Sequence, residues 1–543
     1  MHFAASVCYN ITAMFVRTKV FRNKDGTTRT YLQLVKTERV GGKVRQRVVA
    51  NLGRLEKLEQ GSLDRLIQHL MRFSQEQWIL KKAREMECSH AKVWGPVLVF
   101  RRLWEELGLA QVLKQLLADT AVETDFEEAA FAMVLNRLLD PASKLKVSKW
   151  MKTIYRPEWD SLELGHLYRA LDFLAEHKAE IEEALYVRVR DLFNLRLDLV
   201  LWDTTTTYFE GRAAEGLAEF GYSKDKRPDR VQIMLGVLVS RDGFPIAHEV
   251  FPGNLAEVET FRYVVERIRQ QFQLERVIIA FDRGMVSERL LGEIEDAGLS
   301  YIVGVRMRNQ KAAREVLSRP GRYRKVASNL WVKEVILGGV RYIVCFNPQE
   351  KEHDRKMREQ AVAKLRQKLE AGRLKELIGN SAYRRYLKLD GEGAYINSKV
   401  LKQEARYDGK YILRTNSSLS PEEVAQAYKS LWQVERAFRE LKSGLDLRPI
   451  YHWTQRRIRG HVMVCFLALV LEMALRSKIK ALANDERISY DDLLMDLSQL
   501  KAVDLEVDGT KYLARTELVG HAGLAFRAVG VRPPLRVTQL PRI

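Results

Sequence analysis

LRLDLVLWDTTTTYFEG, residues 195–211, is where the chain changes its period. Upstream, apolar residues recur at helical spacing; from Leu195 they form a nearly continuous run ending in Asp203 and a threonine cluster. A short run of that kind, rich in Leu and Val, is the pattern of a strand covered on both faces. Next comes VQIMLGVLVSRDGFPIAHEVFPGN, which reads as two strands around an Asp242-Gly243 turn.

ETFRYVVERIRQQF then reads as a helix, RVIIAFDRGM as a buried strand ending in Asp282, SERLLGEIEDAG as a second helix and YIVGVR as a further strand. The order βββαβαβ is that of the ribonuclease-H-like fold, an α/β class with a mixed sheet. In that topology the first and fourth strands lie side by side and parallel, about 4.8 Å apart. Asp203 and Asp282, each expected at a strand end, then stand near each other. Two carboxylates so placed repel unless something positive lies between them.

Downstream, from Met307 to about Tyr411, the core pattern is suspended. This stretch holds the basic turn SRPGRYRKV, strand-like LWVKEVILGGVRYIVCF, a charged helix expected from Gln349 to Leu377, and strand-like GAYINSKV and YDGKYILRT. The core resumes in AYKSLWQVERAFRELKSGLDLRPIYHWTQRRIRGH, residues 427–461. Pro421, Glu422 and Glu423 suit a helix start, since proline fits the first turn and acids fit the positive end of the dipole. At 100° per residue Leu431, Val434, Phe438, Leu441 and Leu445 share one arc. Tyr428, Glu435 and Lys442 form a stripe along its border. Arg436 and Glu440 point away, as a solvated face should. Val462–Leu475, broken by Glu472, falls short of the roughly 20 residues a membrane span needs and reads as a buried helix.

Upstream, residues 14–53 alternate around Asp25-Gly26 and Gly41-Gly42 turns, a small β module. Lys43, Arg45 and Arg47 fall on one strand face, open to a DNA contact or to simple solvation. From Leu55 to Asn194 the period is helical, with breaks at Asp140-Pro141 and Arg156-Pro157. At 543 residues the chain exceeds the size at which one core keeps growing, and roughly three or four domains are expected. Lys+Arg of 90 against Asp+Glu of 70 gives a net charge of +20, which favours a polyanionic partner and salt-sensitive binding. Cys8, Cys88, Cys345 and Cys465 are too scattered for a zinc knuckle or a disulfide framework and suit a reducing interior. The opening MHFAASVCYNITAMF lacks the basic start of a signal peptide, and Met14 is a second candidate start.

The spacing of Tyr428, Glu435 and Lys442, within LWQVERAFRELK, resembles the Tyr-x2-Arg-x3-Glu-x6-Lys signature of bacterial insertion-sequence DDE transposases of the hairpin-forming group. Leu431 stands where that signature has arginine. The resemblance implies a ribonuclease-H-like catalytic core interrupted by a β-rich insertion domain. The division expected is an N-terminal β module at 1–54, a helical DNA-end-binding region at 55–194, the leading segment of the core at 195–306, the insertion at 307–414, the closing segment of the core at 415–480 and a C-terminal region at 481–543, the last a candidate for dimer contacts.

Asp203, Asp282 and Glu435 are the implied catalytic and metal-binding residues. Such hard oxygen ligands favour Mg²⁺, here two ions with Mn²⁺ able to substitute. Tyr428, Lys442, Arg439, Arg456 and Arg457 are candidate DNA contacts, with Arg459 beside the last two. GYSKDKRPDRVQ resembles a family segment after the first aspartate, so Lys224, Lys226, Arg227 and Arg230 are either DNA contacts or a solvated basic loop. Trp331 is either a residue that stacks on a flipped base or a strand residue of the core. The implied partners are double-stranded DNA, as terminal inverted repeats and as target, and a second copy in a synaptic homodimer, with no membrane; the implied place is the cytoplasm, at the nucleoid. Two alternatives stand beside this reading: a nuclease of the same fold without strand transfer, and a silent DNA-binding regulator.

Overall fold

A computed structural model describes residues 14–40, 43–58, 61–71, 87–118, 125–193, 195, 198–210, 213–270, 277–308, 310–371, 386–390, 393–483, 488–507 and 510–541. The chain divides into two compact units, Met1–Glu87 and Cys88–Ile543. In the first, β1 (Met14–Arg22), β2 (Thr28–Val40) and β3 (Lys43–Arg54) form an antiparallel meander, followed by the helix Ser62–Met71. Gly26 turns the β1–β2 hairpin at φ 84°, a value glycine adopts without steric cost, and Asp25 Oδ1 accepts from Thr27 N at 3.0 Å. Lys43, Arg45 and Arg47 are exposed on β3, but so are Val44, Val48 and Val49 between and beyond them. The expected Gly41-Gly42 turn, Cys8 and the opening segment lie outside the described residues.

The second unit is built on a nine-stranded mixed sheet in the order β10-β11-β12-β15-β9-β8-β5-β6-β7. Its centre follows the predicted order: β5 (Leu199–Tyr208), β6 (Gln232–Ser240), β7 (Pro245–Pro252), the helix Glu257–Gln270, β8 (Ile278–Phe281), the helix Glu288–Asp296 and β9 (Ser300–Gly304). β5 to β7 are antiparallel neighbours, whereas β8 pairs in parallel with both β5 and β9. Successive side chains on a strand point to opposite faces. Val200, Trp202, Ile279 and Phe281 therefore join one core with Phe261 and Leu290 from the two crossover helices, while Leu199, Leu201 and Ala280 join another on the far side. The benzo end of the Trp202 indole packs against Gly236, where a Cβ would sit 2.1 Å from it.

On the far side lies Gln455–Ala483, 29 residues long and buried along most of its length. By length and composition alone it would cross a membrane; here it is the central helix of the core, as Val462–Leu475 predicted, packed against Leu164–Glu176 and Phe126–Leu139. The helices of residues 95–192 thus share one apolar cluster with the sheet. Before them, β4 (Glu87–Val93) adds a strand to the region expected to be helical. It belongs to a second sheet with β16 (Lys501–Val507), β17 (Thr510–Arg515) and β18 (Val537–Gln539), so the C-terminal region folds back onto its own chain.

The stretch expected as a β-rich insertion, 307–414, holds six strands among the described residues, and most of them do not form a sheet of their own. β10 (Arg324–Ala327), β11 (Leu330–Leu337), β12 (Val340–Phe346) and β15 (Lys410–Thr415) extend the core sheet through the antiparallel pairing of β15 with β9. β13 (Leu387–Asp390) and β14 (Gly393–Ile396) form a separate hairpin. The charged helix runs Pro348–Glu370, and the rest of its expected span, 372–377, lies outside the described residues.

The single helix expected across Tyr428, Glu435 and Lys442 is three pieces: Pro421–Lys429, Trp432–Arg439 and a wider turn at Glu440–Gly444. Its start is as predicted, with Ser420 and Glu423 capping each other's backbone N–H at 3.2 and 2.8 Å. At the break Ser430 Oγ donates back to Gln426 O at 3.1 Å, a local bond that competes with helix continuation.

Candidate catalytic acid cluster

The parallel register of β5 and β8 ends at Trp202 opposite Phe281. The next residue on each strand is an aspartate, so Asp203 and Asp282 are neighbours because hydrogen bonding fixes the register. Asp203 is not a strand end, as the sequence suggested; β5 runs on through the threonines to Tyr208, paired only with β6. What ends at Asp203 is the parallel partner, and that opens one side of the strand.

Asp203 Oδ1 accepts from Thr204 N at 2.7 Å and lies 3.9 Å from Lys224 Nζ. The same ammonium lies 2.6 Å from Glu257 Oε1 and donates to Thr204 O at 2.7 Å. Glu257 opens the helix after β7, accepts from Thr204 Oγ1 at 3.3 Å, and covers Gly284, where a Cβ would sit 2.9 Å from its Oε2. Glu257 is therefore a third acid, set against Thr204 and Gly284, which lie close to the two aspartates in the chain, and it was unforeseen from sequence. Its one signal, an acid in a helix's first turn, is shared by ordinary dipole partners. Burial pushes the Asp203 carboxyl up to about 6 against the pull of Lys224, with Asp282 and Glu257 adding to the rise.

Tyr428 donates from its hydroxyl to Asp282 Oδ1 at 3.3 Å. Only a glycine at position 304 admits it, since a Cβ there would meet that hydroxyl at 2.4 Å. Burial, and then the Asp282 charge, push the phenol well above its ordinary value, so it stays a donor. Glu435 lies on a helix packed over β5 and β6, exposed, and its carboxylate makes no hydrogen bond or ion pair among the described residues. Among those residues no three Asp, Glu, His or Cys side chains are gathered as a set that holds an ion. The donors present are of the hard-oxygen kind that Mg²⁺ takes, and the ammonium of Lys224 stands among them as a cation.

Lys442 pairs with Asp225 at 2.8 Å, and Arg448 reaches the same oxygen at 2.6 Å. Arg439 is exposed with no such partner among the described residues. Lys226 is exposed with a left-handed φ of 58°; Arg227 is held by Asp229 at 2.9 Å and Arg230 lies 3.5 Å from it. Arg456 pairs with Glu176, and Arg457 lies over Tyr168 and 3.8 Å from Asp172, so both dock Gln455–Ala483 onto its neighbouring helix. Trp331, half-buried with Lys325 over its ring, is on β11, with β12, β15, β9 and β8 between it and β5. Four strand spacings to β8 and five to β5 place it roughly 19 Å from Asp282 and roughly 24 Å from Asp203, so the structure does not bring it to the cluster.

Residues 16–84 match the IS1634 family transposase N-terminal domain, and residues 197–471, just over half of the chain, match the transposase DDE domain. The chain belongs to the DDE transposase family. Asp203, Asp225, Glu257, Asp282 and Glu435, with Tyr428, Lys442 and Arg448, fall inside the DDE match. Among solved structures, this DDE-family chain is similar to the Mos1 transposase paired-end complex with left transposon end and to the Mos1 strand transfer complex, each at 13% identity with a TM-score of 0.15. Those matches cover 34% of this chain and 60% of the Mos1 chains. No curated protein matches the chain.

Proposed function

We propose that this chain is an insertion-sequence transposase that cuts DNA at transposon ends and transfers the freed strand into target DNA. The observation that carries the reading is the register setting Asp203 beside Asp282 within the DDE match. The core, in this reading, is ribonuclease-H-like, with Asp203, Asp282 and Glu435 as the catalytic acids and Mg²⁺ or Mn²⁺ as the ions. Bound as a pair, such ions activate the attacking oxygen and stabilise the leaving one in an in-line displacement at phosphorus.

The chain's own residues then have separable tasks. Asp203 and Asp282 present oxygens from adjoining strands, and Tyr428 fixes the Asp282 carboxylate through its hydroxyl. Glu435 approaches on its helix from above β5 and β6. Lys442 and Arg439 hold phosphates of the bound strand, and the loop from Lys224 to Arg230 follows the DNA backbone, which the net charge of +20 favours. The freed 3′-hydroxyl attacks the opposite strand to give a hairpin, which water reopens before transfer. Synapsis pairs two ends in a homodimer, residues 1–54 and 55–194 serve end recognition, and the site of action is the nucleoid.

A labelled terminal-repeat duplex incubated with Mg²⁺ tests this, run beside Asp203→Ala. Cleaved and joined products, both absent with the variant, are expected. Hydrolysis without joining would identify a nuclease, and retarded migration without cutting a regulator.

A further inference from the structure

The loop between β5 and β6 puts two oppositely charged neighbours into two different places. Lys224 reaches the acids at Asp203 and Glu257, and Asp225, next in the chain, lies between Lys442 and Arg448. A tight turn makes this divergence possible: Lys226 N donates to Ser223 O at 3.2 Å, Arg227 N to Ser223 Oγ at 3.1 Å, and Lys224 N to Thr206 Oγ1 at 2.9 Å.

We infer that this loop occupies the substrate's own place in the DNA-free chain. The Asp225 carboxylate fills the seat of a DNA phosphate between Lys442 and Arg448, and the Lys224 ammonium fills that of a divalent cation between Asp203 and Glu257. The inference rests on the acid-site reading above and adds to it a phosphate seat that includes Arg448 and a single segment that DNA and metal must both evict.

Three observations support it. Asp225 is an imperfect occupant: one oxygen takes both cations, at 2.8 and 2.6 Å, while the buried Oδ2 has no partner among the described residues. A phosphate, with more oxygens spread over a tetrahedron, satisfies a lysine and an arginine together. Lys224 spans carboxylates that would otherwise repel one another, which is the office of a bound cation. Finally, the loop is held by these polar contacts rather than by a core: Phe220 and Tyr222 before it are 64% and 87% exposed. Its displacement breaks polar contacts and unpacks neither Phe220 nor Tyr222.

Two sites blocked by one loop are coupled, and the coupling is reciprocal. The test uses the full chain with two probes: a 30-base-pair duplex of arbitrary sequence in EDTA, and Mn²⁺ alone followed by calorimetry. Asp225→Asn is expected to bind the duplex about tenfold tighter, and Lys224→Gln to bind Mn²⁺ about tenfold tighter without DNA, because each no longer opposes an occupant. In the unaltered chain the duplex raises Mn²⁺ affinity, and in Lys224→Gln that gain shrinks. This last arm does not depend on whether Asp225→Asn folds.

Equal or weaker duplex binding by Asp225→Asn would show that Asp225 merely organises the two cations and would overturn the proposal. Unchanged Mn²⁺ affinity in Lys224→Gln would overturn it as well. Asp203→Asn separates the two failures. If it loses Mn²⁺ while both loop variants behave as the unaltered chain, the loop inference alone falls; if it keeps Mn²⁺, the acid-site reading falls and the loop inference with it.

Discussion

Two clusters of carboxylates in this molecule, around Glu182 and around Asp203, are held in opposite ways. Glu182, fully buried, faces Lys178 at 2.9 Å and Arg267 at 2.6 Å, and those same cations also contact Glu249. Two acids meet two bases, and the pairs tie the helix Lys178–Leu192 to β7 and the helix Glu257–Gln270. Burial alone would raise the Glu182 carboxyl, but Lys178, His248 and Arg267 hold it well below the usual range. At Asp203 two acids, Asp203 and Glu257, share one lysine with the Asp282 charge nearby, and the Asp203 carboxyl rises to about 6. The scaffold cancels its charge; the candidate site keeps an excess. An uncancelled cluster costs stability in the free chain, and what it gains is affinity for cations.

The strongest way to break that contrast is at the site. Asp203→Asn is expected to lower strand cleavage at least about a thousandfold, roughly 4 kcal/mol of barrier, as loss of an ion ligand should. The same change should leave the melting temperature unchanged or slightly higher, because it relieves repulsion. Cleavage assays beside thermal melts read both, and a marked drop in melting temperature would mean Asp203 is a structural residue. Glu182→Ala should do the reverse. Removing one partner of a buried set leaves charges uncompensated and costs about 3–5 kcal/mol, seen as an earlier unfolding transition, with cleavage per folded molecule retained.

Lys144 sharpens the comparison from inside the scaffold. It is buried, its Nζ has no partner among the described residues, and burial followed by the nearby Arg137 lowers it to about 7. Below pH 7 the lysine is charged in both folded and unfolded chains and the full penalty is present. Above that, the unfolded chain holds the extra proton, so stability climbs with pH until the ordinary lysine value near 10.5. Lys144→Met should raise the melting temperature at pH 6–7 by the equivalent of a few kcal/mol and flatten its rise toward pH 10. A pH series of melts on both chains checks this; parallel curves would refute it. The smallest effect is expected for Tyr428→Phe. Losing one 3.3 Å hydrogen bond to the Asp282 carboxylate should slow cleavage about tenfold without altering duplex binding, measured in the same assays.

Much of the candidate site was legible because its signals are local. The runs ending at Asp203 and Asp282 are continuous apolar segments in a strand order with a fixed parallel pairing, and the buried Val462 helix is apolar on every side. Glu257 and Asp225 were not legible. Each is one acid among 70 Asp and Glu in the chain, and nothing adjacent distinguishes it. The break at Ser430 was also missed, because the apolar arc continues across it and only the bond back to Gln426 marks it. Trp331 was read from its kind and its neighbours, which carry no information on how many strands separate it from the aspartates.

The amino-acid sequence by itself determined the strands and helices of the central βββαβαβ stretch, that Asp203 and Asp282 adjoin, and that the chain carries a strongly basic charge. Periodicity and charge are properties of neighbouring residues, and they survive in one dimension. Only the tertiary structure decided that the insertion strands extend the core sheet, that Glu257 stands beside Asp203, and that Lys224 and Asp225 diverge toward different partners. Those are meetings of polar groups remote along the chain, and their partners are chosen by where the packed elements bring them.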